Sequence, residues 1–227
     1  MPRIVSGSLG GRTIPGIVSK GTRPTSDRVR EALFSRLDGW DALTGARVLD
    51  LYAGTGALAF ESLSRGSAHA LLVELHAPSA RSLGAAAREL GLADRCTVRA
   101  GRAETVAAQL AAEAGAGAEV GEGAVSRAPS GAAGSGGAVA SRGAAGSGEA
   151  AGSREPWTLV FLDPPYDVPT ETLEALLVTL RPALADDALV VIERSSRTRP
   201  ITWPEGWADD GTKSYGETVL QYGGPAT

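Results

Sequence analysis

Cysteine is almost absent from this chain, which has one, Cys96, among its 227 residues. A single thiol excludes an internal disulfide framework, and no clustered Cys and His residues accompany it, so we predict no metal site. Cys96 lies in an apolar run that favours a strand, and we interpret it as a core residue. The two histidines, His69 and His76, have no motif partners and receive no function.

Long hydrophobic runs are also missing. No uninterrupted apolar stretch approaches the roughly 20 residues of a transmembrane helix, although the apolar fraction of 43% is ordinary for a globular protein. The first residues, Met1 to Gly7, contain neither an apolar signal core nor a small-residue cleavage site. We therefore expect a soluble, cytoplasmic protein without membrane contact, of a size that fits one α/β domain with small additions.

The chain has no overall excess of basic residues: its net charge is −4, which argues against a generally basic surface for nucleic acid. Near the start of the chain, however, basic residues outnumber acidic ones. Such a basic segment can hold phosphates, or it can be a solvated arm that only aids solubility, and charge alone leaves both interpretations open. Before residue 38 the only acidic residues are Asp27 and Glu31, against Arg3, Arg12, Lys20, Arg23, Arg28, Arg30 and Arg36.

The first 44 residues are predicted to form a small extension. Short β-prone runs around Gly10 and Gly11 predict a hairpin between Arg3 and Ile17. Cap candidates after Pro24 and an apolar stripe at helical spacing then predict a helix that packs on the main domain.

Residues 45–227 are predicted to form the main domain. From residue 46, apolar strands alternate with helices rich in Ala and Leu, which is typical of a parallel sheet covered by helices. The last strand, Thr218 to Tyr222, is expected to run antiparallel at an edge. Between about residues 115 and 153 the chain is nearly all Gly, Ala and Ser, so we predict a disordered insertion. The predicted strands are 47–52, 70–75, 96–99, 157–162, 189–193 and 218–222, and the predicted helices between them are 57–65, 78–90, 103–113 and 171–180.

A glycine turn follows the first of these strands. The segment Asp50 to Leu58 contains Gly54 and Gly56 between a strand and a helix, where the backbone can approach a ligand closely. Glu74 ends the next strand about 20 residues later, where a carboxylate can accept hydrogen bonds from ribose hydroxyls. These features predict a cofactor that contains adenosine.

The turn alone leaves two cofactors open, because Gly54 to Ala59 also satisfies the fingerprint of nicotinamide dinucleotide enzymes. Asp50 favours S-adenosylmethionine, since a carboxylate at the strand end repels a pyrophosphate and suits the positively charged amino group and sulfonium.

The segment Asp163-Pro164-Pro165-Tyr166 follows a predicted buried strand. Two prolines fix φ and remove two backbone donors, which gives a stiff loop with available carbonyls. An exocyclic base amine is a poor nucleophile, so its N–H groups must be held by acceptors while its lone pair faces the methyl group. We predict that Asp163 and the Pro164 carbonyl are these acceptors and that Tyr166 stacks on the base.

These motifs, together with the segment from Arg23 to Phe34, closely resemble the bacterial 16S rRNA (guanine-N2) methyltransferase D family. The resemblance covers nearly the whole chain except the insertion. It implies a Rossmann-like class I methyltransferase fold with a mostly parallel seven-stranded sheet. It also implies methylation of a guanine in 16S rRNA, on a small subunit or its assembly intermediate, with S-adenosylmethionine as donor and no stable protein partner. By position, the cofactor residues are Asp50, Ala53, Gly54, Thr55, Gly56 and Glu74, and the guanine residues are Asp163, Pro164, Pro165 and Tyr166.

The resemblance also suggests residues at two further places. Related enzymes commonly carry an acidic or amide residue at the adenine end of the cofactor pocket, whereas this chain has the segment from Gly101 to Glu104 there. Arg102 and Ala103 are assigned to this end of the pocket. The contact with the adenine amino group is then expected from Glu104 or from a backbone carbonyl. The target guanine must be unstacked or single-stranded to be reached. The predicted RNA-facing residues are Arg12, Lys20, Arg23, Arg28, Arg30, Lys213 and Tyr215.

Four alternatives remain at this stage. A DNA adenine-N6 methyltransferase usually needs a larger recognition region than this chain has, and a protein-glutamine methyltransferase prefers Asn at position 163. A nicotinamide oxidoreductase is weakened by Asp50 and by the Asp163 to Tyr166 loop. A non-catalytic RNA-binding assembly factor would keep the basic segment without using that loop.

Overall fold

The computed structural model describes residues 2–16, 27–121 and 155–226 of the chain. Strands and helices alternate along most of this length, as the sequence predicts. The strands are β1 (Arg47–Asp50), β2 (His69–Glu74), β3 (Cys96–Ala100), β4 (Trp157–Leu162), β5 (Leu184–Ser195), β6 (Trp207–Tyr215) and β7 (Thr218–Pro225), and the helices are α1 (Asp27–Gly39), α2 (Ala57–Ser64), α3 (Ala77–Glu89), α4 (Ala103–Gly121) and α5 (Thr170–Leu180).

The seven strands form one sheet in the order β3-β2-β1-β4-β5-β7-β6. Strands β1 to β5 pair in parallel, while β7 is antiparallel to both β5 and β6. From the adjacent central strands β1 and β4, the chain continues in opposite directions: to β2 and β3 on one side and to β5 on the other. The loops that follow β1 and β4 therefore lead away from each other and leave a crevice at the carboxyl edge of the sheet. The predicted Rossmann-like fold is confirmed.

Helices cover both faces of the sheet, because successive strand residues point to opposite sides. Val48 faces a core formed with α1, α2 and α3, whereas the next residue, Leu49, faces a core formed with α4 and α5. Within the described ranges, no helix is long and apolar enough to cross a membrane.

The N-terminal extension packs into the same core as the sheet. Arg3 and Thr13 form an antiparallel bridge, which agrees with the predicted hairpin as far as residue 16. Ile4 and Ile14 are fully buried beside α1 and α2. The backbone amides of Val5 and Ser6 donate to the carboxylate of Glu61, at 2.6 and 3.0 Å. These contacts fix the extension on α2.

Three predictions about the chain's elements need correction. The last strand, β7, lies inside the sheet, and the edge is β6, which the sequence did not reveal because its residues are mostly half-buried or exposed. The backbone of α4 continues to Gly121, past the predicted start of the insertion at 115, because the helix propensity of its alanines outweighs its three glycines. Cys96 is half-buried at the margin of the core. The rest of the predicted insertion, 122–153, lies outside the described residues.

Candidate active site

Three carboxylates meet at the carboxyl edge of the sheet. Asp50 ends β1, Glu74 ends β2 and Asp163 directly follows β4. Because β1 pairs in parallel with both β2 and β4, these ends lie side by side. The negative charges of Asp163 and Glu74 both act on Asp50. The fold thus brings together the two motifs that the sequence separates by more than 100 residues.

The glycine turn after β1 is held by the neighbouring strand. The amide of Ala53 donates to the Val73 carbonyl at 2.9 Å, and the amide of Gly54 donates to Oε2 of Glu74 at 3.0 Å. Gly54 and Gly56 have φ of 51° and 72°, a region that side chains disfavour. A Cβ at Gly56 would lie 2.6 Å from Cε2 of Phe60. A Cβ at Gly54 would instead meet only the Tyr52 carbonyl oxygen, 3.8 Å away, which leaves room for a ligand.

Asp50 lies beneath this turn with only 1% of its surface exposed. Burial, then the charge of Asp163, raises its pKa to about 8, while backbone hydrogen bonds at Tyr52 and Ala59 oppose the shift. Its Oδ1 atom is buried and has no hydrogen-bond partner among the described residues. A positive charge at this edge would satisfy that oxygen and favour the ionised carboxylate.

Glu74 is tied to the backbone on both sides of its strand end. Oε2 accepts from Gly54 and Oε1 accepts from the amide of His76 at 2.8 Å, which fixes the carboxylate while leaving lone pairs for further donors. The next residue, Leu75, is 66% exposed. An exposed leucine at this edge offers an apolar surface that a flat ring could cover. Leu75 was not among the residues predicted from the sequence, although it directly follows Glu74.

The loop from Asp163 to Tyr166 connects β4 with α5. Asp163 is half-buried, Pro164 is buried, and Pro165 and Tyr166 are exposed, Tyr166 by 49%. The amide of Val168 donates to the Pro165 carbonyl at 3.1 Å and closes a tight turn around Tyr166. An aromatic ring is therefore presented to solvent from a constrained loop, beside the carboxylate of Asp163.

Tyr52 and Arg194 also reach this region, and sequence reasoning missed both. The hydroxyl of Tyr52 is buried without a hydrogen-bond partner among the described residues. Burial, then the charge of Glu104, raises the pKa of Tyr52 to about 12. Arg194, near the end of β5, is 2% exposed, and burial lowers its pKa. In the sequence, Arg194 could have been recognised as a charged residue at the end of an apolar strand.

The residues assigned to the adenine end differ in what they can offer. Arg102 is exposed and pairs with Glu104, with Nε and Oε2 3.4 Å apart. Ala103 is buried as the first residue of α4, so only its backbone is available there. The adjacent amide of Gly101 donates to the Glu74 carbonyl at 3.0 Å, which places this segment beside the glycine turn.

The predicted RNA-facing residues fall into three groups. Arg12, Arg28 and Lys213 are exposed, and Tyr215 is half-buried against the core. Lys20 and Arg23 lie outside the described residues. Arg30 is 2% exposed and donates from Nη2 to the Arg3 carbonyl at 2.6 Å. Its predicted place on an RNA-facing surface is therefore wrong, because its guanidinium is used to attach α1 to the N-terminal extension.

A family model described as "Conserved hypothetical protein 95" matches residues 2–120 and 135–223 of the chain. Among curated relatives, ribosomal RNA small subunit methyltransferase D of Escherichia coli (strain K12) is 30% identical over 224 residues. That match covers 96% of this chain and 87% of the relative. The likeness therefore extends over both motifs and the N-terminal extension.

Solved structures share the fold. The Escherichia coli protein YhhF superposes with a TM-score of 0.70 at 26% identity, covering 99% of this chain and 98% of that one. An RNA methyltransferase from Salinibacter ruber, solved with S-adenosyl-L-homocysteine, gives a TM-score of 0.52 at 16% identity, with 90% and 95% covered. At such low identity the second comparison bears on the fold alone.

Proposed function

The chain belongs to the ribosomal RNA small subunit methyltransferase D family, and from this premise we propose that it methylates the exocyclic N2 amino group of a guanine in 16S rRNA. S-adenosylmethionine is the methyl donor. The observation that carries the proposal is the placement of the Asp163 to Tyr166 loop on β4, directly beside the glycine turn that follows β1. An amino-group acceptor site and a cofactor turn thus share one crevice.

The residues at the edge fit this cofactor. Glu74 has lone pairs for ribose hydroxyls, Gly54 leaves room for a ligand, and Leu75 offers an apolar face for adenine. The buried Oδ1 of Asp50 lacks a hydrogen-bond partner among the described residues and suits a nearby cation. A pyrophosphate would instead meet three carboxylates, those of Asp50, Glu74 and Asp163, which disfavours a nicotinamide dinucleotide.

When bound, S-adenosylmethionine would supply an electrophilic methyl group on a positively charged sulfur, which would leave as a neutral thioether with the electrons of the broken S–C bond. The Asp163 carboxylate and the Pro164 carbonyl accept the amine's N–H groups and turn its lone pair toward that methyl group. Tyr166 stacks on the guanine and fixes its plane. The amine becomes acidic only as its bond to the methyl carbon forms, and Asp163 then accepts the departing proton. Orientation and electrostatic preorganisation are the main sources of rate enhancement.

Exposed basic residues outside the two motifs are proposed to hold the RNA backbone. Arg12, Arg28 and Lys213 can each contact phosphates, and such contacts position an RNA without selecting its sequence. The substrate is proposed to be a small subunit or its assembly intermediate, in which the target guanine is accessible. No stable protein partner is proposed.

The experiment is to incubate the purified protein with radiolabelled S-adenosylmethionine and one of three substrates. These are small subunits that lack the modification, naked 16S rRNA and duplex DNA. After digestion, the labelled nucleoside is identified by chromatography against standards. We expect N2-methylguanosine from small subunits or naked rRNA. Label on adenine, or label found only in DNA, would overturn the choice of substrate.

A further inference from the structure

Arg194 is a buried arginine close to the proposed base-binding loop. It lies near the carboxyl end of β5, the strand that pairs with β4, and only 2% of its surface is exposed. Removing a guanidinium from water is costly unless its charge and donors are used. Burial lowers the pKa of Arg194, which is the direction expected from that cost.

One donor of Arg194 is used on the loop itself. Nη2 donates to the Val168 carbonyl at 2.7 Å. The amide of the same residue donates to the Pro165 carbonyl at 3.1 Å and closes the turn that contains Tyr166. Both polar backbone groups of Val168 are therefore occupied, one by the turn and one by β5. Arg194 connects the turn to a rigid strand of the sheet.

Arg194 has two further nitrogens besides Nη2. Nε and Nη1 are buried and have no hydrogen-bond partner in the described part of the chain. Tyr52, Glu171 and Tyr166 all lie within electrostatic range of its guanidinium. Tyr52 follows β1 in the cofactor turn, whereas Tyr166 belongs to the base-binding loop. The guanidinium thus lies within electrostatic reach of both motifs.

We propose that Arg194 is a positioning residue, which holds the Pro165 to Val168 turn so that the ring of Tyr166 faces the target base. The inference rests on the proposed function and adds the residue that orients its stacking group. Arg194 does not touch the base, since its side chain is buried beneath the loop. Its effect on methyl transfer passes through Tyr166.

The test combines single and double variants. Arg194→Met removes the donors and the charge, Arg194→Lys keeps a charge and a donor, and Tyr166→Ala removes the ring. We expect Arg194→Met to lower kcat by about 10- to 100-fold, because small displacements of positioning groups cost this much, with KM for S-adenosylmethionine unchanged. Arg194→Lys should recover most of the loss. In the Tyr166→Ala background, Arg194→Met should lower kcat by less than about 3-fold, since coupled residues are not additive.

A matched control is Arg197→Met, which changes an exposed arginine paired with Glu217 at 2.8 Å. It should leave kcat unchanged. A merely structural role for Arg194 predicts an equal loss of kcat with and without the Tyr166 ring, and that result would overturn the inference. Unchanged kcat in Arg194→Met would overturn it as well.

A second measurement does not depend on activity. The chain has four tyrosines, so fluorotyrosine labelling gives few ¹⁹F resonances, which Tyr→Phe variants assign. Arg194→Met, which removes the hydrogen bond to the Val168 carbonyl, should shift the Tyr166 resonance and leave that of Tyr215 in place. An unmoved Tyr166 resonance would contradict the inference. Failure of the wild-type protein to label rRNA would instead contradict the proposed function, so the two failures are distinguishable.

Discussion

Glu61 and Asp50 are both almost completely buried, at two different places in the described part of the chain. Glu61 lies in α2 beneath the N-terminal extension and is 0% exposed, while Asp50 lies beneath the cofactor turn and is 1% exposed. Glu61 accepts from the amides of Val5 and Ser6 and from Nε of Arg65, at 2.6, 3.0 and 2.7 Å. Asp50 has two other carboxylates nearby and an Oδ1 without a hydrogen-bond partner among the described residues.

The difference separates a structural carboxylate from a functional one. A buried charge surrounded by donors holds elements together, whereas a buried charge beside like charges is destabilising until a ligand compensates it. Donors within the folded chain therefore compensate the charge of Glu61, and this carboxylate holds the N-terminal extension on α2. At the sheet edge that carries the glycine turn, the repulsion between carboxylates is left uncompensated. The positive charge of S-adenosylmethionine can compensate it. Variants in the two regions should accordingly affect different measurements.

The largest expected effect is the loss of methyl transfer in Asp163→Ala. Removing the acceptor of the amine proton should lower the rate at least ~10³-fold, as expected for combined proton transfer and electrostatic stabilisation. RNA binding and the unfolding temperature should remain near those of the wild type, as filter binding and calorimetry would show. Asp163→Asn keeps one acceptor oxygen and should lose less. Full methyl transfer in Asp163→Ala would rule out the proposed mechanism.

Glu61→Ala should be the most destabilising change, because it leaves two backbone amides and Arg65 without their shared acceptor. We expect a loss of about 3 kcal/mol in the free energy of unfolding, measured with urea. Arg65 also pairs with Asp38, which limits the cost. Glu61→Gln retains one acceptor oxygen and should lose less. A near-neutral Glu61→Ala would show that the extension is attached by apolar contacts alone.

In the absence of cofactor, Asp50→Asn should stabilise the folded chain, which is the opposite of the effect expected for Glu61→Ala. The pKa of Asp50 is raised from 3.8 to about 8, so the native state binds more protons than the unfolded chain, and its stability falls as pH rises through this range. Asparagine does not ionise. The variant's advantage in unfolding free energy should therefore grow by about 3 to 4 kcal/mol between pH 5 and pH 8.

The same substitution should weaken binding of S-adenosylmethionine, because the compensating carboxylate is gone. Calorimetric titration at pH 8 should show at least a tenfold loss of affinity, equivalent to about 1.4 kcal/mol. If Asp50→Asn destabilised the protein at every pH, the carboxylate would be structural, as Glu61 is.

Gly56→Ala changes the glycine turn itself. The substitution places a Cβ at φ 72° and 2.6 Å from the Phe60 ring, so we expect a loss of about 2 kcal/mol and weaker cofactor binding. Gly91→Ala is the matched control. Gly91 has φ 75° with nothing within 4 Å of a Cβ, so only the backbone cost of about 1 kcal/mol applies. Equal losses at the two positions would show that the Phe60 contact relaxes freely.

Local patterns were sufficient to predict most of the sheet and the two site motifs. Apolar runs identified six of the seven strands, β6 being the exception, and the glycine turn and the Asp163 to Tyr166 loop were placed at strand ends. Strand β6 was missed because its pairing with β7, through Lys213 and Leu220 for example, holds it in place despite exposed polar residues. Edge strands have weak local signals because only one side is paired and little apolar surface is buried.

The sequence by itself determined the two site motifs, because glycines, prolines and carboxylates at strand ends act through their own conformations and charges. Tertiary structure alone decided the environment of each charged side chain. Arg28 and Arg30 belong to the same basic segment, yet Arg28 is exposed and Arg30 is buried against the Arg3 carbonyl. Arg194 likewise acquires its contact with Val168 only when β5 lies beside β4. Burial and long-range hydrogen bonds depend on residues distant in the chain, so no local pattern encodes them.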